Sequence, residues 1–187
     1  MAGFEQNMSN SRACGSPNRS PLVPRITWPP CIMNDRLRLL FGNEPLVLGL
    51  TDGQETLAQA TEVFRYIDRN FERWNCNTAG LPTNETVVQV YEMVTDCTFQ
   101  EMFDSFGIPI DSLALTQAQI KQFTMLYPNR LKRGGNGTFF LFKVGGEFFV
   151  SAVYFFSDGR VGVRLRRLAL ARVFRAQKRH RLVVKSR

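Results

Sequence analysis

Two glycine-bearing turns, Gly145-Gly146 and Asp158-Gly159, lie within fifteen residues of each other and interrupt an almost continuous run of aromatic and β-branched residues. Glycine accepts the positive φ values that two-residue hairpin loops demand, and Asp-Gly is read in the same way. Gly137 to Val144, Glu147 to Phe156 and Arg160 to Arg166 are therefore three successive antiparallel strands, a β-meander. With Gly145-Gly146 as a loop, Val144 faces Glu147, Phe142 faces Phe149 and Phe140 faces Ser151. With Asp158-Gly159 as a two-residue loop, Phe156 faces Val161, Tyr154 faces Val163 and Ala152 faces Leu165. Facing residues share a side of the sheet.

That register gathers Phe139, Leu141, Phe148, Val150, Ala152, Tyr154, Phe156, Val161, Val163 and Leu165 on one side, which is the core side. The other side collects Phe140, Phe142, Phe149, Val153 and Phe155, joined by Gly162, Arg164 and Arg166. Two readings of this second side stand open. A helix over Thr116 to Tyr127 covers the phenylalanines, as aromatic residues on strands are usually core. Alternatively the rings form an open platform on which unpaired bases stack while neighbouring arginines hold phosphates. A slip of one residue would exchange the sets.

Charge divides the chain unevenly. From Leu131 to Arg187 there are 14 Lys or Arg against 2 Asp or Glu, a net +12; the preceding residues carry a net −4. Such a basic segment seeks a polyanion or the acidic half of its own chain. Arg164, Arg166, Arg167, Arg172, Arg175, Lys178, Arg179 and Arg181 are the candidate phosphate holders. Phe140, Phe142, Phe149 and Phe155 are the candidate stacking rings. Lys and Arg also guard edge strands from aggregation, and the same cluster could meet anionic lipid headgroups.

Upstream, Leu57, Ala60, Phe64, Ile67, Phe71 and Trp74 recur at spacings of three and four, which predicts a helix over Gln54 to Trp74, with Thr51-Asp52-Gly53 at its start. Thr86 to Val94 is β-branched and reads as a strand. Thr98 with Glu101, and Thr116 with Gln119, match capping boxes that open helices through Phe106 and Tyr127. Leu46 to Leu50, Arg172 to Ala176 and Arg181 to Lys185 read as further short strands. Residues 1–45 are rich in Ser, Asn, Pro, Gly and Arg and are expected to be a poorly ordered extension, leaving residues 46–187 as one domain.

The hairpin Gly137-Thr138-Phe139-Phe140-Leu141-Phe142-Lys143, the Ser157-Asp158-Gly159 turn and the Leu115 to Ile120 run resemble a family of small bacterial proteins to which no activity is assigned. The resemblance spans about residues 46 to 187 and brings no functional residue with it. The arginine-rich C-terminus departs from that group.

Catalytic readings find little support. The one histidine, His180, lies among cations that disfavour its protonation. Cys14, Cys31, Cys76 and Cys97 form no Cys-x-x-Cys pair, so no metal site is expected, and no nucleotide-binding glycine motif is present. No apolar run is long enough for a membrane helix and no secretory leader is seen, so a cytoplasmic protein without a cofactor is expected. The fold class expected is α+β: an antiparallel meander, or a small curled sheet or barrel, packed by two or three helices. The function expected is a non-enzymatic module for RNA or single-stranded nucleic acid. The alternative is a protein-interaction module that docks an acidic partner on the basic edge, or a helix on the 54–74 stripe.

Overall fold

The computed structural model describes residues 35–42 and 44–186. Within them eight strands form one sheet: β1 (Leu37–Leu40), β2 (Leu46–Leu48), β3 (Tyr66–Ile67), β4 (Thr86–Met93), β5 (Gly137–Val144), β6 (Glu147–Phe155), β7 (Val161–Arg167) and β8 (Arg181–Lys185). Three helices accompany it: α1 (Asn70–Arg73), α2 (Phe99–Asp104) and α3 (Gln117–Leu126). The class is α+β. No helix among the described residues is long and apolar enough to cross a membrane.

The strand order is β1-β4-β8-β5-β6-β7-β3, with β2 also on β4. Its two ends do not pair, so the sheet is open and the expected barrel does not form. Nor is it purely antiparallel: β8 runs parallel to β5, and β3 parallel to β7. The first follows from connectivity. The chain leaves β7 and must cross one side of the sheet to reach the free edge of β5, and a crossover delivers a parallel neighbour. The crossing segment, residues 168–180, forms an isolated bridge at Cys97–Phe174 and packs Leu168 and Phe174 on the sheet. The strand expected over Arg172 to Ala176 is absent, because no sheet edge is left there to pair with it. The expected boundary at residue 46 is also too late, since Leu37–Leu40 pairs with β4. Residues 1–34 of the expected extension lie outside the described residues.

The first hairpin has the register read from sequence, Val144 opposite Glu147 and Phe140 opposite Ser151. Gly145 and Gly146 take φ of 59° and 87°, the positive values a two-residue loop requires. The second hairpin differs by one residue. Phe156 N–H donates to Arg160 and Gly159 N–H to Phe156, enclosing a three-residue loop, Ser157-Asp158-Gly159. Gly159 sits at φ 82° as the left-handed closing residue. Phe155 therefore faces Val161, Val153 faces Val163 and Ser151 faces Leu165. Val161, Val163 and Leu165 join the side of Phe140. Arg164 and Arg166 move to the side of Phe139 and Tyr154.

Both sides of the sheet are covered. On one, Phe140, Phe142, Phe149, Val153, Val163 and Leu165 pack with Leu57, Phe64, Phe71, Ile120 and Phe123. On the other, Phe139, Leu141, Val150 and Leu182 pack with Phe99, Met102, Phe103, Leu168 and Phe174. Both expected capping boxes form, at Thr98 with Glu101 and at Thr116 with Gln119. The helix expected over Gln54 to Trp74 does not. Its apolar stripe is buried as foreseen, but the backbone is spent elsewhere. Arg65 N–H and Asp68 N–H donate to Val161 and Val163 on the open edge of β7, and Leu57 N–H donates to the buried Gln117 side chain at 3.0 Å. Tertiary pairing outweighs a helix propensity worth only tenths of a kcal/mol, about 0.5 per residue. The stripe is interior, so it offers no surface to a partner helix.

A candidate anion-binding cleft

The four phenylalanines expected to stack bases are core residues. Phe140 and Phe142 are 0% exposed, Phe149 4% and Phe155 9%. Phe123 of α3 meets Phe140 edge-on at 5.4 Å, and Phe71 and Trp74 stack on Phe142 and Phe149 at 6.4 and 6.3 Å. Of the two readings left open by the sequence, the covering one holds, with α3 joined by α1. The open platform on that side is thereby corrected.

The one-residue change in the second hairpin builds a different site. Arg164 and Arg166 project from β7 beside Tyr154 of β6, and the crossing segment passes over β5 and β8 instead. Phe174 anchors it there, 5.1 Å from Phe139 and 4.4 Å from Phe99. Between the segment and β7 lies a half-enclosed cleft of about 300 Å³, lined by Arg164, Arg166, Arg172, Lys178, Tyr154 and His180, with Phe99 and Phe174, and closed by Gly135 and Asn136. Four of the eight expected phosphate holders meet here, and among the described residues no carboxylate lines the cleft.

The remaining four are engaged elsewhere. Arg167 lies on the opposite side of the sheet over Trp74, at 5.1 Å, and reaches Glu147 at 3.5 Å. Arg175 pairs with Asp96 at 3.0 Å, and the same carboxylate accepts the Ala176 amide at 2.6 Å, tying down the crossing segment. Arg179 and Arg38 both hold Glu92, at 2.8 and 2.6 Å. Burial pushes that carboxyl up, and the two guanidinium groups outweigh it and hold it below the usual range. Arg181 is half-buried and donates to the Arg130 and Leu131 carbonyls at 2.6 and 3.1 Å.

Inside the cleft three of the four cations are positioned without being neutralised. Arg164 lies 5.2 Å from the Tyr154 ring centre and 5.9 Å from that of Tyr66. Arg172 lies 5.5 Å from that of Phe174. An aromatic face orients a guanidinium and leaves its in-plane N–H groups free to donate. Among the described residues Arg164, Arg172 and Lys178 form no ion pair; only Arg166 does, with Asp68 at 3.2 Å.

His180, 8% exposed, sets Nδ1 3.0 Å from the Gly137 amide and 3.3 Å from the Gly137 carbonyl. The tautomer decides whether Nδ1 accepts from the first or donates to the second. Burial holds its pKa below the usual histidine value, against the pull of the Gly137 hydrogen bond, and the charges of Lys132, Arg172 and Lys178 add to the lowering. Burial likewise raises the Tyr154 hydroxyl, keeping it protonated, although Arg166, Arg164 and Arg172 pull the other way. Burial also pushes the thiols of Cys76 and Cys97 up to about 11, so both are neutral.

Beside the cleft two large rings face solvent. Tyr66 stands opposite Gly162, in the row that contains Tyr154, and is 45% exposed. Phe156, 38% exposed, meets it edge-on at 6.5 Å. Tyr154, His180, Tyr66 and Phe156 were not among the expected site residues. Their signal in the sequence was the three-residue turn, which sets the face of everything beyond it.

A scan against protein-family models found no match, and no similar chain was found among curated proteins or solved structures.

Proposed function

We propose that this protein is a non-enzymatic module that binds single-stranded nucleic acid, RNA foremost, by holding phosphate in the cleft. The carrying observation is the gathering of Arg164, Arg172 and Lys178, with no ion pair among the described residues, beside Arg166 around one hollow, while Arg167, Arg175 and Arg179 outside it are paired with acids. Phosphate oxygens supply the acceptors that these donors lack. Tyr66 and Phe156 take the stacking role first expected of the buried phenylalanines, since every base has a face that an exposed ring can cover. An acidic protein would satisfy the cations equally but has no use for the two rings.

Fluorescence anisotropy of a labelled twelve-nucleotide RNA, titrated across salt, tests the proposal. Three neutralised phosphate charges predict a slope of log K against log salt of about −2, from about 0.7 per contact on single strands. Arg164→Glu combined with Arg172→Glu abolishes binding, and Tyr66→Ala weakens it by about 1–3 kcal/mol. Absent or salt-independent binding overturns the proposal.

A further inference from the structure

Several cations that flank the cleft are already neutralised. Leading away from the cleft, Arg167, Arg175 and Arg179 are each held by a carboxylate, and so is Arg160, by Asp158. A strand passing through a protein needs a succession of cations spaced along its backbone, and none continues from this cleft in those directions. The hollow is also half-enclosed, with the Gly135-Asn136 loop on one flank and the crossing segment on another. A half-enclosed hollow admits the end of a chain more readily than its middle.

The donors match a particular anion. Among the described residues Arg164, Arg172 and Lys178 are without acids, and Nε2 of His180 has no hydrogen-bond partner. Tyr154 adds a protonated hydroxyl in the same wall. An internal phosphodiester offers two free oxygens and one negative charge. A terminal phosphate monoester offers three oxygens and close to two charges near neutral pH. Three unneutralised cations and a tyrosine hydroxyl fit the second better than the first.

Resting on the reading of the cleft as a nucleic-acid phosphate site, we infer that it recognises the terminal phosphate of a strand, with the end nucleotide's base set against Tyr66 and Phe156. The protein is then a reader of phosphorylated ends and not a coat along a strand.

The test uses the full chain and RNAs of one sequence in three forms: 5′-phosphorylated, 3′-phosphorylated, and hydroxyl at both ends. One phosphorylated form is expected to bind about tenfold or more tightly than the hydroxyl form, the yield of one or two added charge-assisted hydrogen bonds. Inorganic phosphate competes for that form. Arg172→Ala with Lys178→Ala removes the preference, whereas Arg175→Ala, at a cation outside the cleft, keeps it. Both cleft residues are exposed, and a thermal melt confirms that the variants are folded. Equal, salt-dependent binding of all three RNAs overturns end recognition and leaves the proposed function standing. Binding of none overturns both. A preference that survives Arg172→Ala with Lys178→Ala places end reading elsewhere and overturns this inference.

Discussion

Arg164 stands opposite Ala152 across the β6–β7 ladder, and so on the side of Tyr154, not of Phe149. One residue in the turn decides this. Had Asp158-Gly159 been a two-residue loop, Arg164 would have pointed into the aromatic core and Val163 toward solvent. Gly159 closes the longer loop at φ 82°, where an added Cβ meets no atom within 4 Å but the backbone conformation is strained for any L side chain. Gly159→Ala is therefore expected to cost about 1 kcal/mol, read as a lower urea midpoint at unchanged slope. Deleting Ser157 forces the two-residue loop and sets the buried and charged faces of β7 against their surroundings. Loss of a cooperative unfolding transition is expected. A deletion variant that melts like the parent would show that the loop does not set the face of β7.

Much of the fold was legible because its signals are local. Capping boxes at Thr98 and Thr116 need only residues three apart, and Gly145-Gly146 states its own turn type. The Gln54 to Trp74 stripe illustrates what is not local. Its spacing correctly named the buried residues, Leu57, Phe64 and Phe71. The backbone conformation, however, was decided by the unpaired edge of β7, about a hundred residues further on. The cleft was hidden for the same reason. Cationic residues 164, 166, 172 and 178 are close in sequence, but only the register and the crossing path show which of them share a hollow and which are neutralised by Glu92, Asp96 and Glu147.

Phe140 separates a stacking role from a packing one. Its ring lies between α3 and the sheet, fully buried, with Phe123 at 5.4 Å. Phe140→Ala removes that ring and leaves a cavity the neighbours fill only in part. A loss of about 3–5 kcal/mol in unfolding free energy is expected, with RNA affinity unchanged where the variant is still folded. Weakened binding at full stability would return Phe140 to the binding surface.

Gln117 holds the non-helical segment in place from the first turn of α3. Its Oε1 accepts the Leu57 amide at 3.0 Å and its Nε2 donates to the Thr78 carbonyl at 3.1 Å. The Leu57 amide is buried and has no water to replace Gln117, whereas Thr78 is exposed. Gln117→Ala strands the Leu57 amide, at about 1–3 kcal/mol. Faster amide hydrogen exchange at Leu57 and through residues 54–64, with α3 protection retained, is the expected local signature. Uniform change across the molecule would place the effect in the core instead.

His180 makes the cleft observable by its pH response, and its being the sole histidine gives it an unambiguous imidazole resonance. Burial is the main cause holding its pKa below the usual 6.5, with Lys132, Arg172 and Lys178 adding repulsion and the hydrogen bond to the Gly137 carbonyl partly opposing. Lowering a base's pKa in the folded state means that the unfolded chain binds the proton more readily. This contribution to stability is therefore complete above pH 6.5 and is lost as pH falls through 6.5 toward and past the folded value. An NMR titration should give a midpoint below 6.5, and wild-type stability should fall over that window more than that of His180→Asn, which keeps an acceptor for Gly137. An anion lodged among the cations reverses the repulsion. Adding inorganic phosphate is expected to move the midpoint upward and to flatten the pH dependence of stability. A midpoint unmoved by phosphate would mean that no anion settles beside the imidazole, and the cleft would lose its claim to hold one.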